Sequence, residues 1–409
     1  MKPERPPARP VLRRGVFMIL CSLLMMAPSS SLALDGGIRV RIHEIQHHEK
    51  WIHDPQMQSR IGLLWGKDQA FGGRLMLQDV RRLSEMTSSQ AGTLMLHQAY
   101  VRSSLRKGIL FDAGRRELEF GGGRLVSSAP WSDRGRAFDG IFLTINDRIY
   151  PFGMTAWATQ PGTPGSQGKR FAGIYLQKSL SPLLRLEAWW MRKQRLSSQT
   201  DRHTLGGAAR WASRILKSEL EGSYQLGTHA ERSIAAWGAS LVGQWRLSQH
   251  HLKPRIGAEL NLASGDSDRS DQTDQTFDSL YAEAHRFWGH LDLMGGRNAR
   301  DIHVWLGTLI PINKIELSIH GHLLSLQTQG DDFYLSNGSG RGLDSRQAAG
   351  SDVGTEIDVV AKKTHGPESN RWTINLGLSV FLPGSIAKIS DLGEAPIFGG
   401  YLQLQSRFR

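Results

Sequence analysis

The sequence predicts an all-β fold: a transmembrane antiparallel β-barrel of about eighteen strands, with short periplasmic turns and long extracellular loops. Three observations predict it. Apolar and polar residues alternate with period two over membrane-crossing lengths, the connections alternate between short and long, and the chain opens on an export signal.

The alternation is clear near the C-terminus. Between Trp372 and Leu382, the residues Ile374, Leu376, Leu378, Val380 and Leu382 share one face, and Thr373, Asn375 and Ser379 the other. Val353, Thr355, Ile357, Val359 and Ala361 alternate with Glu356, Asp358 and Lys362; Ile256, Ala258, Leu260 and Leu262 with Arg255, Glu259 and Asn261; Ile315, Leu317 and Ile319 with Glu316, Ser318 and His320. Each segment thus has an apolar and a strongly polar face. A soluble barrel or sandwich would turn the apolar face inward, whereas a membrane barrel turns it to lipid. Segments of roughly 10 to 14 residues favour the membrane barrel, because they span a bilayer when tilted and exceed the usual soluble strand.

The connections carry the count. Short turns are expected at 67–72, 103–108, 146–151, 180–183, 212–216, 248–251, 311–313 and 366–370. Longer loops are expected at 48–58, 83–91, 119–137, 161–169, 195–201, 228–232, 264–298, 328–350 and 383–395. Eight turns interleaved with nine loops give eighteen strands, an even count with both termini on the turn side. Segment 290–296 could pass for a strand on Leu291 and Leu293, but counting it would place two short connections in succession, so it is assigned to the long loop.

At the N-terminus, Lys2, Arg5, Arg9, Arg13 and Arg14 precede an apolar run from Val16 to Ala27, closing on Ser31, Leu32 and Ala33. This pattern predicts a signal peptide over 1–33 and a mature barrel over 34–409. Cys21 follows bulky Ile19 and Leu20, where a lipoprotein signal needs small residues, so the mature chain is expected to have no cysteine. A closed hydrogen-bonded barrel is one way to hold an exported fold without disulfides. No later stretch reaches ~18 consecutive apolar residues, which excludes a helical membrane protein.

The formal charge is +12; removing five basic residues and Glu4 with the leader leaves +8. Such a surplus, mostly arginine, points to a polyanionic partner. Export argues against nucleic acid, and no nucleic-acid-binding motif is present. The remaining candidates are anionic lipid and an acidic polymer. The final segment, Tyr401 to Phe408, is an amphipathic strand closing on an aromatic before Arg409, the kind of signal that barrel-assembly machinery reads.

Several motifs stand in order along the chain: Arg74-Leu-Met-Leu-Gln-Asp-Val-Arg81, His97-Gln-Ala-Tyr-Val101, Gly114-Arg-Arg-Glu-Leu118, Gly123-Arg-Leu-Val126, Trp131-Ser-Asp133 and Gly135-Arg-Ala-Phe-Asp-Gly140. Ala263-Ser-Gly-Asp266, Gln275-Thr-Phe-Asp-Ser-Leu-Tyr281, Gly295-Gly-Arg-Asn298 and Val353-Gly-Thr-Glu-Ile-Asp358 follow. Together they resemble the alginate export family of outer-membrane channels. The resemblance implies an eighteen-stranded barrel, matching the count above, and passive export of an acidic exopolysaccharide through an Arg-lined lumen. It also implies the bacterial outer membrane, with its lipid and lipopolysaccharide, as the setting, and a periplasmic polymer-secretion partner.

A guanidinium fork matches the one carboxylate per sugar of a polyuronate better than an ammonium does. Arg39, Arg41, Arg74, Arg185, Arg210, Arg246 and Arg255 fall on the polar phase and are expected in the lumen. Arg115, Arg124, Arg136 and Arg297 match the family motifs beside the longest loops, where a constriction could be built. The competing expectation is that each braces the wall against acids such as Glu187, Glu219, Glu259, Glu316, Glu356 and Asp358. Asp79 and Asp139 read as acceptors for Arg81 and Arg136. Asp266, Asp268, Asp271 and Asp274 lack the glycine and terminal Glu of a calcium loop, so they read as a solvated external loop. Segment 162–169 has the wrong glycine spacing for a phosphate loop, and the pairs His47-His48 and His250-His251 lack a second ligand pair. No cofactor is expected and no Gly-x-Ser-x-Gly elbow occurs, so an enzyme is not the expected reading. The alternatives carried forward are a small-anion porin on the same barrel and a barrel lipase or acyltransferase.

Overall fold

The structure, a computed structural model, describes residues 32–47, 50–66, 70–83, 92–147, 152–162, 168–248, 251–342, 350–390 and 392–409. The expected signal peptide lies outside these residues apart from Leu32 and Ala33. The strands are β1 (Ala33–His47), β2 (Lys50–Trp65), β3 (Phe71–Arg82), β4 (Gly92–Arg106), β5 (Ile109–Arg116), β6 (Phe138–Asp147), β7 (Phe152–Pro161), β8 (Lys169–Ser179), β9 (Leu184–Arg195) and β10 (Thr200–Ala212). They continue as β11 (Leu216–His229), β12 (Arg232–Arg246), β13 (Arg255–Ala263), the two-residue β14 (Thr273–Asp274), β15 (Ala299–Ile310), β16 (Ile315–Ser325), β17 (Asp352–His365), β18 (Asn370–Pro383) and β19 (Ile397–Phe408).

Leaving out β14, which lies within a loop and pairs in parallel with β12, each strand pairs antiparallel with its neighbour in sequence. The ring closes where β1 pairs with β19, from Gly36 opposite Phe408 to Ile45 opposite Gly399. The result is a closed barrel of eighteen long strands. Closure leaves no unpaired strand edge, which hydrocarbon would not tolerate.

Side chains sort by phase. On β18, Trp372, Ile374, Leu376, Leu378 and Leu382 are exposed outward, while Ser379 and Phe381 are buried. On β17, Ile357 and Val359 face out, and Glu356 and Asp358 are fully buried. Exposed greasy residues outside and buried polar ones inside invert the soluble rule and describe a lipid-facing wall. Phe71, Trp211, Trp245, Trp372 and Phe408 are all exposed at turn-side strand ends, where they form an aromatic girdle.

Three expectations need correction. The loops expected at 48–58 and 228–232 are two-residue connections, because β2 starts at Lys50 and β11 and β12 run to His229 and from Arg232. In β2 adjacent Trp51 and Ile52, followed by Asp54-Pro55, break the period-two alternation that would have marked a strand. Val353 does not share the outward face of Ile357: it is buried, at a register break where Ser325 pairs with Asp352 and Leu324 with Gly354. The long loop is solvated only in part: Asp268 is exposed, but Asp266, Asp274 and the neighbouring Asp331 are buried. They are tied to Arg232, Arg202 and Arg269 respectively.

Instead the long loops fold inward and build an apolar core inside the ring. Leu118, Leu125 and Val126 from loop 117–137, Phe277, Phe287, Leu291 and Met294 from loop 264–298, and Ile386 and Ala387 from the short helix Ser385–Ile389 pack against inward Phe138, Trp157, Phe171 and Phe381. Loop 117–137 crosses the interior. Gln78 on β3 donates to its Arg134 carbonyl at 2.9 Å, and its Arg124 reaches Glu259 on β13 at 2.8 Å. β3 and β13 lie eight steps apart, the shorter way, around the eighteen-strand ring, so these contacts join nearly opposite walls.

Placing Arg at Leu241, an exposed residue near the middle of β12, is expected to cost about 2–4 kcal/mol. Equilibrium unfolding from lipid vesicles reads this, and an unchanged midpoint would mean that the apolar face does not meet lipid.

Candidate functional site: the barrel interior

The interior is organised by two loops that pair with each other. Tyr281 N–H donates to the Leu125 carbonyl at 2.9 Å, Ser127 N–H to the Tyr281 carbonyl at 3.0 Å, and Glu283 N–H to the Gly123 carbonyl at 3.0 Å. The approach to this ladder is the run Gly121-Gly122-Gly123, with φ of 57°, 75° and 94°, a left-handed path that side-chain-bearing residues rarely follow. Phe120 anchors the run by stacking on Trp157 and Tyr175, each at 4.7 Å. Arg136 clamps the pair of loops: its guanidinium donates to the Tyr281 carbonyl, to Ser127 O at 3.2 Å and to Ala282 O at 3.4 Å. Burial lowers the pKa of Arg136, with Glu283 nearby opposing that shift.

Open space remains on both sides of this cross-piece. Toward the loop end lies a space of about 1540 Å³, lined by Arg136, Lys169, Lys193, Arg195, Arg202 and Arg297 around Tyr281, with Asp278 as the one carboxylate among the described residues. Burial would raise the Asp278 carboxyl, but Lys193 at 2.8 Å, Arg297 and Arg202 hold it well below the usual range. Toward the turn end lie two smaller spaces. One, of about 1220 Å³, is lined by Arg39, Arg60, Arg74, Glu117 and Glu119 near the C-terminus. The other, of about 820 Å³, is lined by Arg116, Arg185, Glu187 and Glu119.

The residues expected in the lumen fall into three groups. Arg39, Arg41, Arg74, Arg185, Arg210 and Arg255 sit on the inward phase with bracing partners. Arg39 donates to the Ser132 carbonyl at 2.7 Å. Arg41 donates to Gln403 at 2.9 Å and lies 3.5 Å above the Trp131 ring. Arg74 pairs with Asp35, Arg185 with Glu187 at 2.9 Å, and Arg255 with Glu316 at 3.6 Å. Arg210 binds Glu187 at 2.9 Å, together with Glu219 and Glu221. Arg246 is exposed at the turn-side end of β12.

The second group lies on the loops themselves. Arg124 reaches Glu259 and Asn261, Arg136 forms the clamp, and Arg297 donates to Gly338 O at 2.9 Å beneath the Tyr334 ring.

Arg115 and Asp139 form the third group and need correction. They pair in two parallel bonds of 2.6 and 2.8 Å, so Asp139 serves Arg115 and not Arg136. Both alternate with buried Asp112 and Phe142, which places the pair on the outward face of β5 and β6. The inward arginine of that motif is Arg116, which shares a face with Asp112. Asp79 does serve Arg81, at 2.6 Å.

The residues that went unnoticed are Arg60, Arg116, Lys169, Lys193, Arg195 and Arg202, together with Trp131. Strand phase could have found the cations, since each occupies the inward phase of its strand. Only the inward fold of loop 117–137 brings Trp131 to Arg41. Among the described residues no three His, Cys, Asp or Glu side chains are placed to hold a metal ion. His48 and His250 lie outside the described residues.

Comparison with known proteins gives a family and a fold. A family described as alginate export matches residues 46–391. No curated protein matches the chain. The outer membrane protein OprD from Pseudomonas aeruginosa superposes with a TM-score of 0.64 at 10% identity, over 94% of this chain and 96% of that one. Pseudomonas aeruginosa OpdK, whose structure contains vanillate, gives 0.65 at 10% identity over 93% and 99%. Acinetobacter baumannii OccAB2 gives 0.64 at 8% identity over 92% and 98%. At these identities the likeness is one of fold.

Replacing Arg136 with Ala removes charged donors from three carbonyl oxygens and is expected to weaken the contact between the loops by about 2–3 kcal/mol. Single-channel recording should then show a larger, noisier conductance. Unchanged current from the folded variant would mean that the clamp does not set the opening.

Proposed function

Because the chain belongs to the alginate export family and is a channel of the bacterial outer membrane, we propose that its cargo is an anionic exopolysaccharide of the polyuronate kind, conducted passively. The observation that carries this reading is the charge imbalance of the loop-end space, six cations around one carboxylate among the described residues. Lys193 is committed to Asp278 and Arg202 to Asp274. Arg136 and Arg297 donate to carbonyl oxygens, which orient them without forming an ion pair. Lys169 and Arg195 have no carboxylate partner among the described residues. Several partly satisfied cations in sequence suit a polyanion in transit, because conduction needs release as well as binding. The turn-end arginines Arg39, Arg60 and Arg74 would receive the polymer from a periplasmic secretion partner.

In this reading the leader over 1–33 is removed on export, the terminal strand β19 addresses the barrel-assembly machinery, and the girdled wall meets outer-membrane lipid and lipopolysaccharide. The conduit performs no enzymatic step.

A second reading is a channel for small carboxylates on the same barrel. The vanillate in OpdK, a protein of like fold, favours it, as does the division of the interior into separate spaces.

Reversal potentials under a salt gradient, with polyuronate added, separate the readings. The wild-type channel is expected to be anion-selective and blocked by polyuronate. Replacing Lys169 and Arg195 with Ala is expected to weaken block about 3- to 10-fold, as for one or two partly screened charge contacts. Free passage of small anions with no polymer block would leave the small-solute reading.

A further inference from the structure

A column of five imidazoles lies inside the barrel, apart from the cations considered above. Ring centroids of His322 and His303 are 4.0 Å apart, of His303 and His320 5.2 Å, and of His290 and His285 4.9 Å, all stacked, while His320 meets His290 at 5.7 Å with the rings tilted by 45°. His285 then stacks on Trp131 at 3.5 Å. The first three are inward residues of β15 and β16, the next two belong to loop 264–298, and Trp131 belongs to loop 117–137. The column therefore runs from the wall through one interior loop to the other. It ends beneath Arg41 of β1, whose guanidinium lies on Trp131.

The loop is seated at this column by a buried carboxylate. Leu291 N–H donates to Glu356 on β17 at 2.9 Å. Glu356 Oε2 and His290 Nδ1 are buried without a hydrogen bond, and Asp358 of the same strand is buried beside Glu356. Such a cluster is sensitive to proton number, because adding a charge to a dry interior is costly unless a partner stands ready.

Acids stand at the wall end of the column. His322 meets Asp301 of β15 at 3.2 Å and Asp358 of β17 at 3.9 Å, and His303 meets Glu259 of β13 at 3.5 Å. At the loop end, His285 has Asp292 at 3.0 Å, with Glu283 and Arg136 nearby. Arg255 of β13 acts on His320, Arg41 and His43 of β1 adjoin the Asp292 end, and Tyr401 of β19 lies edge-on to His285 and His290. The middle of the column, His290 against His320, has no carboxylate in hydrogen-bonding contact.

We propose that this column is a pH-operated latch: with His290 neutral it seats segment 285–294 across the lumen, and protonation of His290 among its neighbouring rings unseats that segment and opens the channel. Burial, reinforced by His285, His320 and His322, pushes His290 down to about 3. The seated state thus takes up a proton less readily than the unseated one. Its stability is complete above the ordinary histidine value of about 6.5 and is lost progressively as pH falls below it. The latch does not depend on which anion the channel carries.

The test is planar-bilayer recording of the full-length channel between pH 7.5 and 5.0, with small-anion current as the readout. Open probability is expected to rise about fivefold from pH 6.5 to 5.5, the response of one coupled proton whose unseated value is about 6.5. His290→Gln, neutral at every pH, is expected to flatten that rise. His320→Gln, on the wall, is expected to reduce it and serves as the reading if His290→Gln yields no folded barrel. Amide exchange of segment 285–294, corrected for the intrinsic pH effect, is expected to quicken over the same range while residues 123–127 do not. Wild-type current that is flat with pH would overturn the latch, as would full pH dependence in either folded variant or no change in exchange.

Discussion

A polypeptide wall in hydrocarbon must satisfy every backbone N–H and C=O within itself, and everything else in this protein follows from that requirement. The seam between β1 and β19 meets it, turning a sheet with two open edges into a ring with none. Once the ring is closed, strand phase has one meaning throughout: one set of side chains meets lipid and the other meets the interior. The outward set carries leucine, isoleucine and tryptophan, and the inward set carries most of the charge.

That inward set creates a second problem, which the long loops solve. A cation inside a narrow ring is far from bulk water and needs partners. Some inward arginines find acids on adjacent strands, as Arg210 does with Glu187, Glu219 and Glu221. Others bind loop carbonyls, as Arg39 does at Ser132 and Arg136 at Ser127 and Ala282. The two solutions have different electrostatic consequences. A carboxylate cancels the guanidinium charge, whereas a carbonyl orients it and leaves its field in the lumen. The apolar core gathered between the loops gives the cross-piece a defined seat, so the interior is a packed body with spaces on either side.

The barrel was legible because its signal is local. Alternation along Trp372 to Leu382 is visible in eleven residues, and hydrocarbon enforces it over the whole crossing. Where alternation is broken the signal fades: adjacent Trp51 and Ile52 and the turn-like Asp54-Pro55 are why Lys50 to Gln58 read as a loop. The site was legible only in part. Inward arginines followed from phase, but Arg115 was taken for its neighbour Arg116, since adjacent residues of one motif face opposite sides and the motif does not say which. Asp139 was likewise given to Arg136, near in sequence, when Arg115 lies across the strand pair.

By itself the sequence determined the ring: strand number, the sidedness of the wall and the excess of positive charge, all of them properties of short segments or of composition. Only the tertiary structure decided what fills the ring. Whether a polar loop of thirty-five residues, 264–298, extends into water or folds inward depends on partners far away in the chain. Glu356 beneath Leu291, Gln225 beside Asp278 and the Val126–Tyr281 ladder are such partners. Those contacts join residues from 53 to 155 positions apart, and periodicity carries no information over that separation.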